Sequence, residues 1–317
     1  MALFLTEDEV TQLLPMPAAM ACVEACFRQL GEGRATNLPR RRAHAPPSSL
    51  HVMFAALPEE RWLGLKAYVV GPAGAQFHVL LYDADAGRLL ALIQANRLGQ
   101  RRTGAASGIA TRYLAREDAR IHLVIGTGWQ AEAQVEAIAL ARPAAEVHCF
   151  SRDPERRRRF AERMAAQIDR PILAVDDLRA AVESADIVTT ITTAREPLFA
   201  GDWLRAGAHL NVAGSNSLLK REIDLRTVER AGLIVVDDRD AVPLEGGDLL
   251  AALETGRLAP EALVELGEVV AGRHRGRING VQITLFKSHG IALEDVAVAG
   301  YVYRVAREQG VGRELPL

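Results

Sequence analysis

Residues 121–131 read IHLVIGTGWQA, and this stretch decides the fold because an apolar run leads directly into a glycine-rich turn. The apolar run at residues 121–125 predicts a buried strand, and the pattern after the turn predicts a helix. Gly126 permits a tight turn, Gly128 permits close approach of a pyrophosphate, and Ala131 allows the helix to pack against the sheet. The stretch therefore predicts the first strand, turn and helix of a dinucleotide-binding Rossmann domain.

The chain after residue 120 alternates short apolar runs with helical patterns. The runs occupy residues 121–125, 146–150, 172–175, 186–191, 209–213 and 233–236, and a further strand is predicted at residues 282–286. Such alternation is typical of an α/β fold with a doubly wound parallel sheet. In that fold the turn after the first strand contacts the cofactor, so the expected contacts are Gly126, Thr127, Gly128, Trp129, Gln130 and Ala131.

The chain before residue 120 has a different pattern. Strand-like runs at residues 51–56, 63–70, 77–83 and 89–94 are separated by Gly, Pro and Asp, which predicts an antiparallel sheet. The last predicted helix, residues 293–308, is expected to pack back on this region. We therefore predict a discontinuous α+β domain of residues 1–118 and 293–317, and a Rossmann domain of residues 119–292.

The charge balance and cysteine content narrow the class of protein. The 317 residues carry 38 basic and 40 acidic side chains, and this balance favours neither nucleic acid nor an anionic membrane as a partner. No apolar run approaches the roughly 20 residues of a membrane helix, and the first ten residues do not resemble a signal peptide. The three cysteines, Cys22, Cys26 and Cys149, fit a reducing compartment. We expect a cytoplasmic protein, and no metal-ligand spacing is evident.

The residues after the second predicted strand indicate the form of the dinucleotide. An NAD site usually places Asp or Glu there to bind the ribose 2′-hydroxyl. This chain has Ser151 and Arg152, and a hydroxyl with a planar guanidinium suits a 2′-phosphate. We therefore expect NADP, while NAD remains the alternative if Asp153 turns toward the ribose. The basic run at residues 156–159 is interpreted mainly as a solvated helix face.

Three basic residues outside the Rossmann region are candidates for binding a substrate carboxylate. Arg41 lies in a run of three arginines, Lys66 lies within an apolar strand, and Arg102 precedes Thr103 at the start of a predicted helix. A guanidinium and the N–H groups of a helix N-terminus both favour an anion. Each residue also has an ordinary interpretation: a surface loop for Arg41, a snorkelling side chain for Lys66, and a structural ion pair for Arg102.

Several motifs taken together resemble the ornithine cyclodeaminase/mu-crystallin family across nearly the whole chain. They are RTGAA at residues 102–106, ATRYL at 110–114, GTGWQA at 126–131, GAHLNVAG at 207–214, ELGEV at 265–269, and FKSHG at 286–290 followed by Asp295. The resemblance implies a Rossmann domain joined to a substrate and dimerisation domain, and it implies a homodimer. It also implies that the carboxylate cluster falls on Arg41, Lys66 and Arg102.

The resemblance implies further cofactor contacts. Residues 190–193 would lie near the nicotinamide, and Lys220 and Ser288 near the edge of the cofactor or active site. Together with the residues after the second strand, the expected additional contacts are Thr103, Ser151, Arg152, Thr190, Thr192, Lys220 and Ser288.

Two departures from ornithine cyclodeaminases change the expected chemistry. Those enzymes carry Asp where this chain has Asn216 and Glu where it has His51. Asn cannot ionise and so cannot act as a base, and His does not pair with a distal ammonium. Gly99 also replaces a Thr of the family.

These residues favour an NADPH-dependent reductase of a small α-imino acid, such as a ketimine of the pyrroline-2-carboxylate type. His51 is the expected proton donor or water-orienting group, and Asn216 would hydrogen-bond the substrate nitrogen or the carboxamide. Lys66 would orient the substrate. The alternatives are an ornithine cyclodeaminase, an alanine-type amino-acid dehydrogenase, and a non-catalytic protein that binds NADPH and a small ligand.

Overall fold

The computed structural model describes residues 1–316 and divides the chain into two compact units. Unit 1 comprises Met1–Arg102 and Gly290–Leu317, and unit 2 comprises Thr103–His289. Unit 1 is therefore discontinuous in sequence. The borders differ from the predicted 118/119 and 292/293, because the first one falls inside a helix that the sequence pattern assigned to the N-terminal domain.

The helices and strands are numbered in chain order. The helices are α1 Glu7–Leu13, α2 Met16–Gly31, α3 Asn96–Leu114, α4 Trp129–Ala141, α5 Pro154–Ile168, α6 Leu178–Ser184, α7 Leu225–Arg230, α8 Val242–Glu245, α9 Gly247–Glu254, α10 Leu266–Val270 and α11 Ala292–Gln309. The strands are β1 Ala2–Leu5, β2 Thr36–Ala45, β3 Ser48–Leu57, β4 Trp62–Gly71, β5 Gly74–Asp83, β6 Leu89–Gln94, β7 Ile121–Ile125, β8 Glu146–Phe150, β9 Ile172–Ala174, β10 Ile187–Thr190, β11 His209–Val212, β12 Leu233–Val236, β13 Val264–Glu265, β14 Thr284–Lys287 and β15 Arg313–Leu315.

Unit 1 contains a seven-stranded sheet in the order β15-β1-β6-β5-β4-β3-β2. The pairs from β2 to β6 are antiparallel, as the four predicted strands required. Strand β2 was missed because Pro39 and three consecutive arginines break its apolar alternation. Its register with β3 shifts between Leu38 and Arg41, which marks a β-bulge.

The two faces of the unit 1 sheet differ in how much other structure packs against them. One face, here the inner face, packs against α11; an added Cβ at Gly64 of β4 would lie only 2.7 Å from Val296 Cγ2 of this helix. Met53, Lys66 and Val79 are cross-strand neighbours on the inner face and are all buried. The outer face carries the alternate residues, many of them apolar and partly exposed.

Unit 2 contains an eight-stranded parallel sheet in the order β13-β12-β14-β11-β10-β7-β8-β9. The chain leaves β7 toward β8 and β9 and then returns to β10 on the other side, so the predicted doubly wound sheet is confirmed. Strand order reverses between β7 and β10, and ligands of such sheets bind at the carboxyl ends of the strands beside this reversal. Strand β13 was missed because two residues give no periodic pattern.

No single helix within residues 1–316 is long and apolar enough to cross a bilayer. The helices α1 and α2, bent by 85° relative to each other, have the required length and composition only when taken as a pair. No group of three or more His, Cys, Asp and Glu side chains is arranged to hold a metal ion within the same residues.

Candidate functional site

The turn between β7 and α4 has the geometry that the glycine pattern predicted. Gly126 has φ +117°, and a Cβ there would lie 2.4 Å from the Ile191 carbonyl oxygen, so only glycine fits. A Cβ at Gly128 would meet nothing within 4 Å. Gly128 caps α4 without a side-chain hydrogen bond, and Ala131 is fully buried. The turn therefore leaves space at the N-terminus of α4, and this positive end of a helix suits the pyrophosphate of a dinucleotide.

The segment after β8 holds the residues from which the sequence predicts NADP rather than NAD. Asp153 caps α5, and its carboxylate accepts hydrogen bonds from the N–H groups of Glu155 and Arg156 at 3.0 and 3.1 Å. Arg152 is exposed and Ser151 is half-buried. Among residues 151–153, the one acidic side chain is thus engaged in hydrogen bonds that cap α5.

The basic run of α5 has structural partners. Arg157 is buried and donates to the Ser151 carbonyl, and it also pairs with Asp176. Arg158 and Arg159 both pair with Glu155 along the exposed helix face. The interpretation of this run as mainly a solvated helix face agrees with these contacts.

Glu222 organises the loops that follow β10 and β11. Its carboxylate accepts hydrogen bonds from Thr190 Oγ1 at 2.8 Å, from Thr192 N and Oγ1 at 2.6 and 2.7 Å, and from Gly214 N at 2.8 Å. Burial raises the pKa of Glu222, and the Lys287 ammonium acts against this rise. The hydroxyls of Thr190 and Thr192 thus hold the loop in place through Glu222, a residue that sequence analysis did not identify.

A second buried ion pair fixes the loop after β11. Lys287, at the end of β14, has a fully buried ammonium 2.9 Å from Asp248 Oδ2, and it donates to the Ser215 carbonyl at 2.6 Å. Asp248 Oδ1 in turn accepts from the Glu222 N–H. This network sets the backbone that follows three neighbouring strands at their carboxyl ends.

The remaining expected cofactor contacts lie in varied surroundings. Ser288 is buried and donates to Asp237 at 3.4 Å, Lys220 is half-buried, and Asn216 is exposed. The carbonyl of Thr103 accepts a hydrogen bond from Gln134 Nε2 at 3.3 Å. The structure places Lys220 and Asn216 on the loop after β11 and Ser288 directly after β14.

Unit 1 brings together a cluster of buried charges on its inner face. Lys66 Nζ lies 2.9 Å from Asp295 Oδ1, Arg102 Nε lies 3.1 Å from the same oxygen, and Arg102 Nη1 lies 2.8 Å from Glu294 Oε2. Arg40 is also buried and donates to the Gly290 carbonyl at 3.3 Å. We call Arg40, Lys66, Arg102, Glu294 and Asp295 the charge cluster.

The charge cluster corrects the position expected for the first basic residue. Arg41 is exposed, and its cross-strand neighbour Val52 lies on the outer face of the sheet. Arg40 instead points inward, because the β-bulge between Leu38 and Arg41 shifts the alternation of β2 by one residue. The carboxylate-binding role expected for Arg41 therefore passes to Arg40 as a proposal.

Burial gives Lys66 an unusual protonation range. Desolvation lowers the pKa of Lys66 from 10.5 to about 8; Asp295 opposes this shift, and Arg102 and Arg40 reinforce it. The ammonium is therefore charged below about pH 8 and loses its proton above it. A cation of this kind is charged at neutral pH and close enough to its pKa to exchange a proton.

His51 lies on the inner face but in surroundings that keep it neutral. Its ring stacks on Tyr68 with 4.5 Å between ring centroids, and its Nε2 is 3.0 Å from Ser49 Oγ. Burial, followed by the charges of Arg42 and Arg40, lowers the pKa of His51 to about 4. A neutral imidazole is not a proton donor of the imidazolium type, so the expected role narrows to orienting a water molecule.

Several members of these networks were missed, although two of them left a signal in the sequence. Glu294 and Asp295 are adjacent acids at the start of a helix whose first three turns are otherwise apolar, and fully buried acids require partners. That pattern predicts buried cations opposite α11. Glu222 and Asp248 left no such signal, because Glu222 lies in a polar loop and Asp248 lies in the first turn of α9, where acidic residues are common.

Comparisons with known proteins agree with this architecture. The sequence model of the ornithine cyclodeaminase/mu-crystallin family matches residues 1–310. A Δ1-pyrroline-2-carboxylate reductase of Bacillus cereus is 37% identical over 261 residues, which cover 80% of each chain.

Two solved structures are similar along their whole length. Thermococcus litoralis Δ1-pyrroline-2-carboxylate reductase, in complex with NADH and L-proline, superposes with a TM-score of 0.93 and 34% identity over 99% of this chain and 100% of that one. A dimeric archaeal alanine dehydrogenase with bound NAD also has a TM-score of 0.93, with 31% identity over 100% of this chain and 99% of that one.

The protonation of Lys66 predicts how carboxylate binding depends on pH. Affinity for cyclopentanecarboxylate, which has no group that titrates near pH 8, should fall as the pH rises through about 8, by up to about tenfold per pH unit. Calorimetric titration between pH 6.5 and 9.5 measures this. Lys66→Arg keeps a cation throughout and should flatten the profile; a wild-type profile that is already flat contradicts the assignment.

Proposed function

Because the chain belongs to the ornithine cyclodeaminase/mu-crystallin family, we propose that it is a nicotinamide-dependent reductase of small α-imino acids. The expected substrate is a ketimine of the pyrroline-2-carboxylate type. The bacterial and archaeal reductases of this name share 37% and 34% of their aligned residues with the chain. Their names support the substrate class, and the charge cluster supports recognition of its carboxylate.

The observation that carries the proposal is the grouping of three buried basic side chains in the charge cluster. Arg40, Lys66 and Arg102 are all buried, and Lys66 and Arg102 share the Asp295 carboxylate. Buried cations are stabilised by anionic partners, and a bound anion supplies one more. The carboxylate of a small imino acid supplies one negative charge, and a guanidinium binds it with a planar pair of donors.

The residues that differ from ornithine cyclodeaminases argue against that alternative. Cyclodeamination requires a base and a partner for the distal ammonium of ornithine. Asn216 cannot ionise, and His51, with a pKa lowered to about 4, is neutral at physiological pH. Neither side chain supplies a negative charge for an ammonium, so reduction of an imine is the better match.

We propose NADP as the preferred cofactor. The turn at Gly126 and Gly128 suits a dinucleotide pyrophosphate, because a Cβ at Gly128 would meet nothing within 4 Å and α4 begins directly after it. Asp153 is engaged as a helix cap, while Ser151 and Arg152 remain beside the expected ribose position. A hydroxyl and a guanidinium favour a 2′-phosphate over a free 2′-hydroxyl.

The chain's own residues have distinct tasks in the proposed reaction. Arg40, Lys66 and Arg102 bind and orient the substrate carboxylate, and orientation of this kind accounts for much of an enzyme's rate gain. When bound, the reduced nicotinamide supplies the hydride. Glu222 holds Thr190 and Thr192, and thereby the backbone expected beside the nicotinamide.

We propose further that the protein is a cytoplasmic homodimer. The outer face of the unit 1 sheet presents Leu38, Leu50, Phe54, Leu63 and Val69, each 40% to 45% exposed. An exposed apolar surface of this extent is typical of a protein interface. The occupant we propose is the same face of a second copy, and the dimeric archaeal alanine dehydrogenase supports this choice.

The reductase proposal predicts oxidation of NADPH when Δ1-pyrroline-2-carboxylate is added, followed at the absorbance band of the reduced nicotinamide. Arg102→Ala should raise KM roughly tenfold to a hundredfold, because a charge-assisted contact is lost. Arg102→Lys, which keeps the charge, should lose less. Production of proline and ammonia from ornithine would favour the cyclodeaminase instead. Turnover of pyruvate with ammonia alone would favour an alanine dehydrogenase, and silence with every substrate would favour a binding protein.

The cofactor proposal predicts that Arg152→Ala weakens NADPH binding about tenfold or more and changes NADH binding less than about twofold. The reason is that only NADPH carries the 2′-phosphate. Dissociation constants from nucleotide fluorescence measure both. Arg159→Ala, which removes an arginine already paired with Glu155, is the matched control and should change neither. Equal weakening of both nucleotides by Arg152→Ala contradicts the assignment.

The dimer proposal predicts that Leu63→Asp converts the protein to a monomer, because a charge would be buried in the apolar interface. Light scattering coupled to size-exclusion chromatography gives the mass directly. Leu219→Asp replaces an 86% exposed leucine of unit 2 and should leave the dimer intact. A wild-type protein that is monomeric at micromolar concentration contradicts the proposal.

A further inference from the structure

We propose that Asp295 binds the nitrogen of the substrate, its Oδ2 accepting a hydrogen bond from the N–H of the protonated imine. This inference rests on the proposed reduction of imino acids and adds a residue to that site. Sequence analysis noted Asp295 only as part of a motif. The structure gives it a position and an unused hydrogen-bonding atom, which together suggest a direct role.

The two oxygens of Asp295 have different surroundings. The side chain is fully buried, and its Oδ1 binds both Lys66 Nζ at 2.9 Å and Arg102 Nε at 3.1 Å. Its Oδ2 is shielded from solvent and has no hydrogen-bond donor within residues 1–316. Leaving a buried charged acceptor without a donor is costly, and such atoms cluster where a ligand completes the site.

The position of Oδ2 matches the connectivity of an α-imino acid. In such a substrate the nitrogen is bonded to the carbon that carries the carboxylate, so anion and N–H lie side by side. A site for this pair needs cations and a hydrogen-bond acceptor at adjacent positions. Asp295 supplies that arrangement, because the oxygen beside Oδ2 is the one that Lys66 and Arg102 already hold.

The chemistry of the nitrogen explains why an ionised acceptor is useful there. Hydride adds to the carbon of the C=N⁺ bond, the π electron pair moves to nitrogen, and nitrogen keeps its proton. The positive charge of the iminium is therefore consumed in the step, and the product is a secondary amine. A carboxylate beside the nitrogen favours the protonated imine, which is the form that accepts hydride.

The same contact discriminates between imino and keto acids. A keto acid presents a carbonyl oxygen at the position of the nitrogen, and an oxygen without a proton cannot donate to Asp295. Two acceptors facing each other in a buried site repel, as happens when a site built for a donor meets an analogue that lacks it. Asp295 would therefore select the imine over the ketone of equal size.

Two ring carboxylates test the inference without turnover. L-proline carries a secondary ammonium next to its carboxylate, and cyclopentanecarboxylate has the same ring without nitrogen. Calorimetric titration of the NADPH-loaded protein, in which proline cannot be oxidised, should give at least about tenfold tighter binding of proline, because one charge-assisted hydrogen bond is added. Asp295→Asn should reduce this preference to within about twofold. Glu294→Gln is the matched control and should retain it, since Glu294 contacts the guanidinium of Arg102 instead.

The outcomes separate the inference from the proposed function. If the wild-type protein binds the two ligands equally well, the proposed role of Asp295 is wrong, while the proposed carboxylate site is still supported. This result does not depend on whether a variant folds. A proline preference that survives in folded Asp295→Asn also overturns it. Failure of the wild-type protein to bind either carboxylate removes the proposed function together with the inference.

Discussion

The buried pairing of opposite charges around Asp295 is the constraint on which unit 1 depends. Lys66 and Arg102 share one oxygen of Asp295, and Arg102 also binds Glu294, all with less than a tenth of each side chain exposed. Removing one partner of such a group leaves an uncompensated buried charge, which typically costs about 3–5 kcal/mol. The sheet and α11 must therefore stay in register.

Unit 2 uses buried charge for a different purpose. Glu222, Asp248 and Lys287 are linked through backbone groups, and they hold the loops that follow β10, β11 and β14. Together with the positive φ at Gly126, these contacts fix the carboxyl ends of the strands around the point where strand order reverses. Loops that are already held in place lower the conformational-entropy cost of binding a dinucleotide.

The sequence predicted the elements whose signal is periodic or carried by glycine. Strong local patterns identified the Rossmann strands other than β13, the turn at Gly126 and the four central strands of unit 1. Strand β2 and the inward orientation of Arg40 were not predicted. A β-bulge shifts the alternation of β2, and no residue type in the sequence indicates where this bulge lies. The partners of Lys66 were also missed, since Asp295 is 229 residues away along the chain. Long-range charge pairing is set by the tertiary fold and has no local period.

The proposed function requires that the buried charge cluster hold an imino acid for reduction by hydride. The most direct measurement is the fate of deuterium when the protein is given Δ1-pyrroline-2-carboxylate and NADPH that carries two deuterium atoms at nicotinamide C4. Mass spectrometry and NMR of the product should find one deuterium, bonded to the α-carbon of proline. Proline without deuterium at that carbon, or no proline at all, would contradict the account.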